Sequence, residues 1–285
     1  MLQSYPPRIK AFRNELIKAI PKVPNTKATA AHMDTFGTHH LMLIYLTWKM
    51  RLVRTKPRNV LIWSGGVELD HFARIRSQIE PLLGKVESGQ DLTPHLSSLV
   101  NTLGFAMSNA PEEKRSQVID RVLTKTGLHH FHVGAMTATN PKGRSGRLVF
   151  ADVADDVFKI IAISNHDAFK IDSIEWKELF AISNRYIQSQ VPIGTPFMAY
   201  PTMSSGHPME LVKYADCCDE TMITLDANLE DRTFVDKLYS EENVGNVQRM
   251  RRPINPNFKW HFENRDFGLL ERKTHVFFRM YFSPC

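Results

Sequence analysis

Apolar side chains recur along this chain first at helical spacing, then at strand spacing, then at helical spacing again. Arg8 to Ile20 reads as an amphipathic helix stopped by Pro21 and Pro24. Asn25 to Thr38 is polar and without a period, and Thr38 stands where a cap would open a second helix, His39 to Arg54. That helix is apolar on most faces and is expected to be buried. Asn59 to Trp63 reads as a short strand ended by Ser64-Gly65-Gly66. From Val67 the pattern turns helical, with Phe72, Ile75, Ile79, Leu82 and Leu83 recurring between Arg74, Arg76, Gln78 and Lys85. Pro111-Glu112-Glu113 opens a further helix whose apolar side is Val118, Val122 and Leu123, and Gly127 ends it.

The clearest β pattern follows. Leu128 to Val133, Leu148 to Val153 and Val157 to Ser164 read as a three-stranded meander, with Lys142 to Arg147 as a basic hairpin and Asp155-Asp156 as a turn. The third strand is apolar on both faces and is expected to be central. Helices are predicted again over Ile174 to Gln190, Met209 to Leu225 and Phe234 to Tyr239, and a last strand over Thr274 to Phe282. The pattern as a whole predicts an α+β fold, a small antiparallel sheet packed with helices. It divides into an N-terminal helical region (1–66), an α+β core (67–172) and a C-terminal helical region with a final strand (173–285).

Composition narrows the class. Of 285 residues 42% are hydrophobic and 23% charged, which excludes a largely disordered chain. Leu41 to Leu46 is too short an apolar run for a bilayer, which needs about 20 residues, so no membrane span is expected. The first residues lack a signal-peptide pattern, and three cysteines, two of them adjacent, cannot make a disulfide framework. A cytoplasmic location is therefore expected. Adjacent Cys217 and Cys218 are read as plain buried thiols. A net charge of +6 biases the chain toward phosphate-bearing or acidic partners.

Twelve histidines carry the candidate chemistry. On a strand, residues two apart share a face, so His130 and His132 point one way while His129, Phe131 and Val133 point the other. Phe131 and Val133 would face the core and leave the two imidazoles on an open face, which His166 reaches if the third strand neighbours the first. Lys142, Arg144 and Arg147 on the adjoining hairpin are candidates for gripping phosphates. Imidazoles can serve as base and acid near neutral pH, and cations stabilise charge on phosphorus oxygens. The same three imidazoles could alternatively ligate a metal, though without a recognised zinc spacing. Arg249 to Arg252 with Phe258, Lys259, Trp260 and His261 mixes cations and aromatics as nucleic-acid surfaces do. No Gly-rich phosphate loop, Gly-x-Ser-x-Gly, His-Glu-x-x-His or paired-cysteine signature is present.

Four segments form a recognisable order: Asp91-Leu92-Thr93-Pro94-His95, Leu128 to Val133, Arg147 to Val153, and Ile163-Ser164-Asn165-His166-Asp167-Ala168-Phe169. This order resembles the RelE superfamily of bacterial toxin ribonucleases, in particular its YafQ-like branch, over residues 79–169, roughly a third of the chain. The resemblance implies an endoribonuclease that needs no cofactor or metal, with His130, His132 and His166 catalytic. It adds His95 and Phe169 to Lys142, Arg144 and Arg147 as substrate-binding residues. It further implies RNA as partner, on the ribosome in some members, an inhibitory partner, and a role in a toxin–antitoxin or phage-defence system. Two insertions, Leu99 to Lys125 and Ala135 to Ser145, depart from the pattern. So does the lack of the family's acidic residue after the strand histidine, where Gly134, Ala135 and Met136 follow His132. A non-catalytic binding module on the same sheet is the competing expectation.

Overall fold

The computed structural model describes residues 5–134, 144–196, 198–240 and 252–284. In chain order its elements open with α1 (Pro7–Ala19), β1 (Lys22–Val23), α2 (Lys27–Asp34), α3 (Thr38–Lys49), β2 (Asn59–Ile62) and α4 (Leu69–Glu87). Next come β3 (Phe105–Ala106), α5 (Glu112–Ser116), α6 (Arg121–Thr126), β4 (His129–His132), β5 (Arg147–Val153) and β6 (Val157–Asn165). The chain closes with α7 (Ile174–Ser189), α8 (Met209–Leu225), α9 (Arg232–Leu238), β7 (Phe258–Glu263), β8 (Asp266–Glu271) and β9 (Phe277–Tyr281). Helices and small sheets in separate stretches make an α+β fold. Among the described residues no helix is long and apolar enough to cross a membrane.

Two compact units share the chain. One comprises Met1–Lys49, Phe105–Ala110 and Glu210–Cys285, the other Met50–Gly104 and Pro111–Met209. They interleave in sequence, whereas the boundaries expected at 66 and 172 are consecutive. In the first unit, β7, β8 and β9 form an antiparallel sheet, and Trp260 and Phe267 stack at its centre with ring centroids 5.3 Å apart. Phe258, Trp260 and Phe262 are buried, since alternate residues of a strand share one face and here that face is core. This corrects the nucleic-acid expectation for Phe258 and Trp260, whose rings are closed to a base. Lys259 pairs with Glu15 at 3.0 Å and Arg252 with Asp236, while Arg249 to Arg251 lie outside the described residues. Cys218 is buried but Cys217 is exposed, because adjacent helical positions face different ways. Helix α2 lies inside the stretch expected to be aperiodic. It is capped by Thr26 and buries only Thr29 and Met33, too few positions to make a period.

The second unit is built on a four-stranded sheet of order β2-β6-β5-β4. The three predicted strands pair antiparallel, and β2 joins them by lying parallel to β6. Both faces are covered. Phe72, Ile75, Ile79, Leu82 and Val86 of α4 pack with Phe131, Val149, Ala151, Phe158 and Ile160 on one face. On the other, Leu148, Phe150, Ile161 and Ala162 pack with Val122 of α6 and Leu179 and Tyr186 of α7. Central strand β6 is apolar on both sides for this reason. The predicted helix from Pro111 to Gly127 is broken into α5 and α6 at Gln117–Asp120, and Asp120 caps the second piece. Gly127 ends α6 at φ 69°, the left-handed turn that feeds β4, and a Cβ there would collide with the Tyr200 ring.

Candidate active site

Strand register sets the histidines. His130 lies opposite Phe150 and His132 opposite Leu148, so both imidazoles share the face covered by α6 and α7. That face is not open, which corrects the expectation: His132 is 8% exposed and the His130 side chain 11%. Helices over both sides of the sheet bury side chains that strand alternation alone would place in solvent.

Nor does the third strand neighbour the first, since β5 lies between β6 and β4. His166 arrives by another route. Asn165 ends β6 opposite Arg147, and its side chain accepts the Asp167 N–H at 2.7 Å. That cap turns the chain into a single 3-10 turn, His166–Phe169, which folds back over the covered face with Ala168 buried beneath it. The His166 ring thereby comes 5.1 Å from the His132 ring, which is 6.2 Å from the His130 ring. Phe169 meets His130 edge to face at 4.8 Å.

These groups line a cleft of about 540 Å³ together with Arg51, Asp120, Arg144 and Trp176. Arg144 also donates from Nη2 to the carbonyl of Leu96, the residue before Ser97 of the cleft lining, at 2.7 Å. Not every expected residue reaches the cleft. His95 is buried behind β4, where its Nδ1 donates to the His132 carbonyl at 3.0 Å. Arg147 opens β5 opposite Asn165 and does not line the cleft. Neither of these two expected substrate-binding residues is therefore on the cleft wall. Lys142 lies outside the described residues.

Burial dominates the electrostatics. It pushes His132 down to about 3, helped by Arg144 and the neighbouring imidazoles. Burial likewise lowers His130, with Arg51, His166 and Arg144 acting in the same direction and Asp120 opposing them. His95 is lowered by burial and partly restored by its bond to the His132 carbonyl. A desolvated imidazole stays neutral because its charged form loses more hydration than the cleft returns. Two buried atoms here, Nδ1 of His132 and Oε1 of Gln117, have no hydrogen-bond partner among the described residues. Both residues line the cleft, and an unmatched buried polar atom there calls for a functional explanation.

Asp120 and Arg51 are functional candidates that the sequence reading missed. Asp120 Oδ2 lies 3.3 Å from His130 Nδ1, so a carboxylate does stand beside a strand histidine, drawn from a helix cap rather than from the strand's own continuation. Its available signal was local: an Asp three residues before Leu123, where a helix N-cap belongs. Arg51 is 7% exposed and donates to the Leu103 carbonyl at 2.7 Å, and nothing local marks it. Among the described residues no three His, Cys, Asp or Glu side chains converge as a metal site requires, so the three-imidazole metal arrangement is not formed. Comparison with known proteins found no matching family model, no similar curated protein and no similar solved structure.

Proposed function

We propose that the second unit is an endoribonuclease centre acting by acid–base chemistry without a metal. The observation that carries this is the row of imidazoles, His130, His132 and His166, at successive ring separations of 6.2 and 5.1 Å in one cleft. Arg144 lines the same cleft. In such a site a neutral imidazole removes the proton of a ribose 2′-hydroxyl and O2′ attacks phosphorus. The P–O5′ bond breaks, and a protonated imidazole supplies the leaving oxygen with its proton. The products are a 2′,3′-cyclic phosphate and a 5′-hydroxyl. His166 is exposed at the cleft, within reach of a leaving oxygen that arrives from solvent, which suits the acid. Phe169 at the rim offers an aromatic edge to a base. The resemblance to toxin ribonucleases supports extending this to growth arrest, relieved by an inhibitory partner.

The test is direct. Purified full-length chain is incubated with labelled single-stranded RNA and DNA in the presence of a chelator, and its products are typed by their ends. Cyclic phosphate ends on RNA alone are expected, with His166→Ala and His130→Ala each slower by about 100-fold or more. RNA binding without cleavage by wild type and variants alike would establish the binding-module reading instead. Induction of wild type and His166→Ala in a bacterial host, with arrest by the first only, tests the toxin role.

A further inference from the structure

We infer that Asp120 is a positioning residue that makes His130, rather than His132, the group that takes the 2′-hydroxyl proton; the inference rests on the acid–base reading above. Asp120 has two oxygens with different tasks. Oδ1 accepts the Leu123 N–H at 3.0 Å and caps α6, while Oδ2 faces His130 Nδ1 at 3.3 Å. The cap bond holds one oxygen of the carboxylate in place while the other stands toward the imidazole. Side-chain exposures of 13% and 11% keep the pair out of bulk water, where such an attraction would be screened.

A carboxylate beside Nδ1 holds the proton there and leaves Nε2, at the far side of the ring, as the free lone pair. Phe150 and Phe169 contact the same ring at 6.3 and 4.8 Å and restrict its rotation. The other charged or titratable groups facing His130 are Arg51, Arg144, His166 and His132, and none is an anion. His132 has no such carboxylate, and its Nδ1 is buried without a partner among the described residues. It is suited to bind a ligand atom rather than to carry a proton back and forth. In the resulting step, Nε2 of His130 gains the 2′-hydroxyl proton, the O2′–P bond forms, the P–O5′ bond breaks, and His166 gives its proton to O5′.

The experiment uses the full chain labelled with 15N-histidine and long-range proton–nitrogen NMR, which reads each imidazole's tautomer. Wild-type His130 is expected with its proton on Nδ1. In Asp120→Asn the amide oxygen must stay on Leu123 N–H, so the NH2 group faces His130 and drives its proton to Nε2. The same variant is expected to lower kcat on mixed-sequence RNA by about 100-fold or more with KM within about twofold, since a wrong tautomer removes the base and leaves binding alone. The acidic limb of its pH profile moves to lower pH, because an attraction that raised His130 is gone. Asp120→Ser keeps the cap and controls for folding through an unchanged melting temperature. An Nε2–H tautomer in wild type, or a tautomer unmoved in Asp120→Asn, overturns the inference. If wild type cuts no RNA the acid–base reading falls, and the tautomer still decides whether Asp120 orients His130.

Discussion

Glu271 in the first unit and His132 in the second are both nearly removed from water, yet their surroundings treat them oppositely. Glu271 is 0% exposed and its two oxygens accept from four donors: the backbone N–H groups of Asn257, Lys273 and Thr274, and the Thr274 hydroxyl. Those bonds hold its carboxyl below the usual range against the opposing effect of burial. Its hydrogen-bonding capacity is consumed by the turn between β8 and β9 and by Asn257 at the entry to β7, so its work is structural. His132 keeps Nδ1 buried and unpartnered among the described residues, on the wall of a cleft. A fold that leaves a buried polar atom unmatched bears a penalty of about 1–3 kcal/mol, and at a concave site the natural beneficiary is a ligand. Complete satisfaction marks architecture, and incomplete satisfaction marks a place to look for chemistry.

The largest effect expected from this contrast is at Glu271. Glu271→Ala strands four donors and is expected to lower the unfolding free energy of the full chain by about 3–5 kcal/mol, read by urea denaturation. A loss under 1 kcal/mol would erase the distinction between the two sites. Next in size is pH dependence. An imidazole held neutral below its unfolded value adds stability that is complete above pH 6.5 and is lost as pH falls toward about 3. Between pH 6.5 and 4.5 the wild type is expected to lose about 2.5 kcal/mol through His132, and His132→Gln to lose that much less. Glu271 enters only below about pH 4.5, where protonation removes what its lowered value contributes. An identical acid profile in wild type and His132→Gln would show that His132 is not held neutral. Smallest is Gln117→Leu, which replaces an acceptor without a partner among the described residues and is expected to change stability by less than about 0.5 kcal/mol. If the proposed RNA site is right, its effect appears instead as weaker RNA binding; unchanged binding would remove Gln117 from that site.

Elements with their own period were legible in the sequence. Helix α8 runs over Met209–Leu225 as the spacing predicts, and the three strands of the meander lie within one residue of their expected ends. Strands β7 and β8 were not separated from the basic stretch before them, because their buried aromatics resemble a stacking surface until a core is seen to close over them. At the site, His130 and His132 could be placed on one face by alternation alone. What covers that face could not, since α6 and α7 are brought there by packing. His166 was expected near the pair and lies near it, although the neighbour relation assumed for its strand does not hold. Asp120, ten residues before His130, carries no mark of that partnership beyond its place as a cap.

Local chemistry was therefore the sequence's to determine: periodicity, the Gly127 stop, the alternation of His130 with Phe131, and the abundance of imidazoles. Each depends on neighbours a few bonds away and survives in any fold that keeps the strand. Tertiary structure alone decided which imidazoles lost their water, which carboxylate faced them, and that Arg51 and Arg144 would share their cleft. Desolvation and Coulomb attraction depend on distance through space, and chain separation says little about that distance once a sheet and its helices have closed.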